Sequence, residues 1–157
     1  KVKKNKKIIK NNLIKKNEFN YLKIRFLQFK DILIFSALCQ DSIFSKDEFY
    51  FDRSNKMFIA TFSRFCWEYH SSEFENSTFY RVVSGFRILN VKDIIYENFE
   101  KMKNSEFLSL LSVYYKKNVI TLQFSCNVNI KIYIGKIDIF LDDLDIPWPT
   151  AKKPKHN

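Results

Sequence analysis

Glycine is nearly missing from this chain: Gly85 and Gly135 are the only two in 157 residues. Two glycines cannot build a G-x-G-x-x-G turn or a Walker-type loop, so the standard nucleotide-cradling motifs are excluded. Histidine is as scarce, and His70 and His156 alone exclude a multi-histidine metal site. The three cysteines, Cys39, Cys66 and Cys126, are odd in number, far apart and without a C-x-x-C pair. A zinc ribbon or thioredoxin-type site is therefore not expected, and the reading is reduced, buried thiols in a cytosolic protein. No apolar run approaches the roughly 18 residues needed to span a membrane. Ile8-Ile9 and Leu13-Ile14 are broken by Lys and Asn, so no signal-peptide core forms, and that stretch has no Arg to suggest a mitochondrial leader. The first residue is Lys1 and no Met precedes Met57, which reads as a fragment or a non-standard start.

What is abundant is aromatic and basic. Aromatic residues make 17% of the chain, with 17 Phe, and hydrophobic residues make 46% against 28% charged. That balance, at this length, describes one folded domain with a sizeable core. The net charge of +10 invites a polyanion reading. Its distribution weakens it. Residues 1–17 carry eight Lys and no acid, and Lys152, Lys153 and Lys155 lie in the last seven residues. Without those eleven, 16 of the 27 basic residues remain against 17 acids, so residues 18–150 sum to −1. The expected organisation is a Lys-rich disordered arm over 1–17, a single domain over 18–150 and a basic tail over 151–157.

Periodicity supplies the elements. Tyr21 to Phe26 alternates as a half-buried strand. Ile32, Phe35, Leu38 and Cys39 follow at helical spacing, with Asp31 as N-cap, predicting a helix over 31–41. Glu48–Asp52 and Met57–Trp67 read as a hairpin around Arg53-Ser54-Asn55-Lys56, with Phe58, Ala60 and Phe62 on one face. Phe79–Ile88 is a strand, and Gly85 within it points to a bulge or to close approach of another backbone. Residues 89–105 read as a mixed connection with a helical turn near Ile94–Phe99. Strands over 107–115, 119–126 and 128–134 form a meander. Ile137, Phe140, Leu141 and Leu144, at i, i+3, i+4 and i+7, predict an amphipathic helix over 136–145 that ends before Pro147. The class expected is α+β. Its architecture is a strongly bent antiparallel sheet or small barrel, pleckstrin-homology-like, with a helix in the N-terminal half and a C-terminal helix closing it. An open sheet with both helices on one face is the alternative.

Several segments together resemble one family. They are Ala37-Leu38-Cys39-Gln40-Asp41-Ser42, Phe58-Ile59-Ala60 leading to Arg64-Phe65-Cys66-Trp67-Glu68, Arg81-Val82-Val83-Ser84 and Leu108-Ser109-Leu110-Leu111. Trp148-Pro149-Thr150 and Lys153-Pro154-Lys155-His156 complete the series. In this order, from about Tyr21 to His156, they resemble the alphaproteobacterial family catalogued as domain of unknown function 2948. The resemblance implies an uncharacterised bacterial cytosolic protein and transfers no catalytic residue. The Lys-rich arm, and Lys at several usual Arg positions, depart from the pattern.

The residues with chemistry to offer are few. Arg64 and Glu68, with Arg81 or Arg87 across the sheet and Gln40-Asp41 at the helix end, form a candidate anion or ligand face, because Arg forks bind carboxylate or phosphate in bidentate fashion. The plain alternative is cross-strand ion pairing on a solvated face. Gln40-Asp41 otherwise reads as a cap of the turn into the next strand, and because an acid is unfavourable at a helix C-terminus, Asp41 has room for another duty such as pairing with an Arg. Asp138, Asp142, Asp143 and Asp145 read as a solvated acidic face of the last helix. Trp148, between two prolines, and Trp67 are candidate partner contacts. No nucleophile, base and acid fall at a recognisable spacing, so no cofactor, metal or catalytic residue is expected. The reading is a small cytoplasmic binding or adaptor domain contacting a protein through its sheet and last helix. An RNA-associated protein using the Lys arm and the sheet arginines is the second reading, and an enzyme with an unrecognised site the third.

Overall fold

Alternating side chains build most of this molecule. In the computed structural model, which describes residues 19–69, 78–103, 106–151 and 153–155, eleven strands and one α-helix are present among the described residues. The chain runs β1 (Lys23–Phe26), α1 (Asp31–Cys39), β2 (Ile43–Ser45), β3 (Phe49–Asp52), β4 (Met57–Phe65), β5 (Phe79–Ile88) and β6 (Val91–Glu97). It continues through β7 (Phe107–Lys116), β8 (Val119–Phe124), β9 (Asn129–Ile134), β10 (Ile139–Asp143) and β11 (Trp148–Thr150). The hydrogen-bonded path is β1-β10-β5-β4-β2-β7-β8-β9-β6, and it does not close into a barrel. Every pairing is antiparallel.

The inward faces of the two halves share a core. Phe44, on the short β2 that joins them, stacks against Phe49 and Phe62 and meets Phe86 and Phe124 at ring centroids of 6.3 and 5.2 Å. Around these rings Ile88, Leu108, Leu122, Ile132 and Leu141 are essentially inaccessible. Aromatic pairs in such offset and edge-on geometries add about 0.5–1.5 kcal/mol each beyond area burial. The β7–β8 hairpin turns through Lys117 and Asn118, both with positive φ (49° and 64°). That is the type I′ turn whose twist matches its strands.

Two elements take a different form from the one read in the sequence, and β2 and β11 stand where no strand is expected. The helix expected over 136–145, which was to close the sheet, is a strand. β10 lies inside the sheet between β1 and β5, with Ile139, Leu141 and Asp143 buried and Phe140 and Asp142 facing out. An acid at the third inward position hides the period of two and leaves the i, i+3, i+4 stripe visible instead. The helical turn expected near Ile94–Phe99 is the strand β6. A register shift between Val91 and Asp93 inserts one residue, so that Val91 and Ile94 both turn inward, a spacing of three that imitates a helix.

The helix over 31–41 is present as α1, but Asp31 does not cap its first turn. Its Oδ2 accepts the backbone N–H of Gln28 upstream, at 3.2 Å. Gly85 carries no bulge. A Cβ there would meet Leu144 Cδ1 at 3.2 Å and the Ala60 carbonyl oxygen at 3.4 Å, so the missing side chain admits Leu144 over the sheet. The arm over 1–17, with Glu18, lies outside the described residues, as do His70 and His156.

Candidate functional site

The alternation that buries Phe58, Ala60 and Phe62 on β4 continues to the next inward position, and that position is Arg64. Its side chain is 0% exposed. A buried guanidinium must find acceptors, and this one does. Arg64 Nε and NH2 donate to Asp143 Oδ1 and Oδ2 at 3.1 and 3.0 Å. NH1 and NH2 donate to Glu68 Oε2 and Oε1 at 2.9 and 2.7 Å. Both carboxylates are held in the bidentate geometry that favours Arg over Lys. Burial opposes the charge on Arg64, but the two carboxylates prevail and hold its pKa above the ordinary guanidinium value. Asp143 also accepts Ser84 Oγ–H at 2.6 Å and the Leu22 N–H at 2.9 Å. This knot ties β1, β4, β5 and β10 together. The acidic residues at 138 and 143 are therefore not a solvated face: Asp143 is buried against Arg64, and Asp138 is buried and gripped by Arg25 Nε and NH2, both at 2.9 Å.

A second group of contacts covers the end of α1. Gln40 closes the helix with extended backbone, and Asp41 turns left-handed at φ 61°. Their carbonyls are taken up by side chains from the sheet. Trp67 Nε1 donates to the Gln40 oxygen at 2.9 Å, and Arg81 NH1 and NH2 donate to the Asp41 oxygen at 3.4 and 3.3 Å. Arg81 also donates to the Ser63 carbonyl at 3.2 Å and lies over the Phe65 ring. Desolvation lowers its pKa, and the charge of Asp41 acts against that.

Of the candidate anion face, the structure thus joins Arg64 with Glu68, and Arg81 with Gln40 and Asp41. It does not bring Arg87 to them. Arg87 is six residues along β5 from Arg81, roughly 20 Å at strand rise. There it stacks on Phe140 at 4.5 Å, opposite Arg25 on the same ring at 5.1 Å, and reaches Asp142 at 3.7 Å. The alternative of ion pairing on a solvated face does not describe Arg64, whose fork is buried and consumed internally.

The C-terminal part of the chain makes the exposed surface here. β10 and β11 both run along β5, with Asp143 opposite Ser84 and Trp148 opposite Arg81. That is five steps on one side against three on the other, so the 144–147 segment bows outward. The bow exposes Leu144 (57%) and Ile146 (45%) beside Tyr21, and Trp148 (39%) follows at the start of β11. Tyr21, Lys23, Leu144, Asp145 and Ile146, with Asp143 at the base, line a surface groove of about 410 Å³. Pro147 and Pro149 have no N–H to donate, which suits a strand at a sheet edge. Asp143, Ser84 and the Leu144–Ile146 bow were not among the candidate residues. Only the period of two through Ile139 and Leu141 could have pointed to Asp143.

The thiols divide. Cys39 and Cys66 are buried, and desolvation pushes both up to about 12, so they stay protonated and inert. Cys126 is exposed, contrary to the expectation of three buried thiols. Among the described residues no three His, Cys, Asp or Glu side chains cluster as a metal site would need, and no helix is long and apolar enough to cross a membrane.

No curated protein and no solved structure matches the chain. One family model does, over residues 22–156, which spans both the Arg64 knot and the C-terminal bow. The segments that carried the resemblance meet in space: Gln40 with Trp67, Asp41 with Arg81 and Leu110, and Trp148 alongside Arg81. On that match the chain belongs to the family described as protein of unknown function (DUF2948).

Proposed function

We propose that this protein is a cytoplasmic protein-binding or adaptor domain, with the groove of Tyr21, Leu144 and Ile146, and Trp148 at the start of β11, as its contact face. The observation that carries this is the joint exposure of three large apolar side chains, Tyr21, Leu144 and Ile146, along one groove, with the exposed Trp148 two residues further on. Clusters of that kind mark interaction sites more often than singly exposed residues do. The face rests on a rigid base, since Asp143 at its root is fixed by Arg64, Ser84 and Leu22. Rigidity limits the entropy lost on docking. The RNA reading is weaker on this geometry. Arg64 has no free donor to offer a phosphate, and Arg81 is half-buried on carbonyl oxygens.

Photocrosslinking from position 146 of the full chain in cells tests the proposal. A discrete protein adduct that survives nuclease and is lost with Trp148→Ala is expected. Adducts that vanish with nuclease would move the RNA reading ahead, and the absence of any protein adduct would remove the contact face.

A further inference from the structure

One edge of the sheet is left open. β1 ends the hydrogen-bonded path and pairs only with β10 among the described residues. The Asp143 N–H donates to the Leu22 carbonyl at 2.9 Å, and the Leu144 N–H to the Val83 carbonyl at 2.7 Å, which fixes the phase of both ladders. Residues opposite each other alternate between bonded and non-bonded pairs. Leu22, Ile24 and Phe26 therefore turn their main-chain groups to β10, and Lys23 and Arg25 turn theirs away from it. Among the described residues nothing bonds those outward groups.

The other free edges are guarded, as edges are by proline, irregularity, charge or covering chain. β11 contains Pro149 and follows Pro147. β6 is interrupted by the shift at Val91, and Asp93 Oδ1 accepts the Ile94 N–H at 2.8 Å. β3 has the β6 segment held against its hairpin, by the Val91 N–H on the Lys56 carbonyl at 2.9 Å and by Phe99 edge-on to Phe49. On β1 the charges are Lys23 and Arg25. The Arg25 fork is drawn back onto Asp138 and over Phe140, which leaves Lys23 alone at the edge.

The side chains of β1 indicate what fits beside it. Leu22 and Ile24 face inward and are only half-buried, so apolar residues of an added strand would complete their cover. On the outer face Lys23 is exposed and makes no ion pair among the described residues, and Asp142 opposite it is paired with Arg87. Acidic neighbours suit that side. A second copy pairing β1 with β1 about a twofold axis sets Lys23 and Arg25 against one another, and like charges opposite each other destabilise a sheet.

We infer that the β1 edge takes up an extended segment of another protein, in which apolar and acidic residues alternate, as an added strand. Main-chain bonds to Lys23 and Arg25 supply the attachment, and the alternation supplies the selectivity. Lys23 borders the groove at Leu144, but the edge uses neither Ile146 nor Trp148, so either surface can fail without the other.

The test is titration of the full chain with an eight-residue peptide of alternating valine and glutamate, and with its valine–lysine counterpart, followed by amide hydrogen exchange. In the free chain Lys23 and Arg25 should exchange fast. The glutamate peptide at ten times its Kd should slow both about tenfold, and the lysine peptide should not. Lys23→Pro removes one outward N–H and none of the bonds to β10, so it should weaken binding about tenfold. Circular dichroism checks that its sheet is intact. Lys23→Glu keeps every main-chain group and should abolish the preference for the glutamate peptide. Slow exchange of the two amides in the free chain, equal binding of the two peptides, or an unchanged preference in Lys23→Glu overturns the inference. Loss of binding in Trp148→Ala would overturn it as well, placing the peptide in the groove. So would a solution dimer that Lys23→Pro dissociates, which gives the edge to a second copy.

Discussion

Arg64 is inaccessible and answers to two carboxylates. Replacing it with Met leaves Asp143 charged, buried and short of its main partner, and breaking a buried pair from one side costs about 3–5 kcal/mol. Urea unfolding of Arg64→Met should show a loss of that order, and a change below about 1 kcal/mol would mean that the knot relaxes around the gap. Asp138 gives a pH test. The fork of Arg25 holds its carboxyl below the usual 3.8. A lowered folded value contributes stability above the unfolded one, and that contribution is lost as pH falls through the folded value. Arg25→Met should therefore be less stable than the parent at neutral pH, with the difference closing below about pH 4 as Asp138 protonates. A difference that stays constant through acid would assign the effect to lost packing on Phe140. The Arg64–Glu68 pair is readable from sequence spacing. Asp143 is not, because it lies 79 residues from Arg64 and looks like one solvated acid among several.

At the scale of elements, β10 replaces a helix, and the two models rank neighbouring side chains differently. A helix buries Phe140 and Leu141 together. In the strand Leu141 is 0% exposed, whereas Phe140 lies outside between Arg25 and Arg87. Leu141→Ala should cost about 2–5 kcal/mol by cavity formation. Phe140→Ala should cost roughly 1–2 kcal/mol, as it removes two partly exposed cation–π contacts. Equal losses would contradict the strand. The strands most readily read in advance have apolar residues at most inward positions: β4 up to Phe62, β5 apart from Ser84, β8, and β9 with Ile130, Ile132 and Ile134. β10 and β6 are obscured, one by its inward Asp143 and the other by the shift at Val91. β2, three residues long, is too short to show any period, yet it joins the two halves of the sheet.

For the molecule as a whole, the pairing of distant segments sets the folding rate. Leu22 and Asp143, 121 residues apart, bond to each other through main chain and carboxylate. Sheets dominated by such contacts fold in milliseconds to seconds. Stopped-flow refolding from urea should show that range, and a microsecond phase carrying the full amplitude would mean that most native structure is local. An antiparallel sheet is legible from the sequence because neighbouring strands can pair as hairpins. Its failure to close is not, since that depends on how β2 and the inserted β10 order the path.

The position of β10 also sets a timetable. At synthesis rates of about 5–20 residues per second, β5 has left the peptidyl-transferase centre roughly 3–10 s before β10 is made, since 51 residues separate Ile88 from Ile139. β10 is also the partner of β1, whose wait is longer, roughly 6–20 s at the same rates, because 113 residues separate Phe26 from Ile139. Throughout that interval a growing chain carries two strands with open edges and an Arg64 whose buried acceptor does not yet exist. Neighbouring nascent chains on one message could then supply the missing strand to each other, so this protein's hazard of misassembly is concentrated in the time before residue 143 is translated.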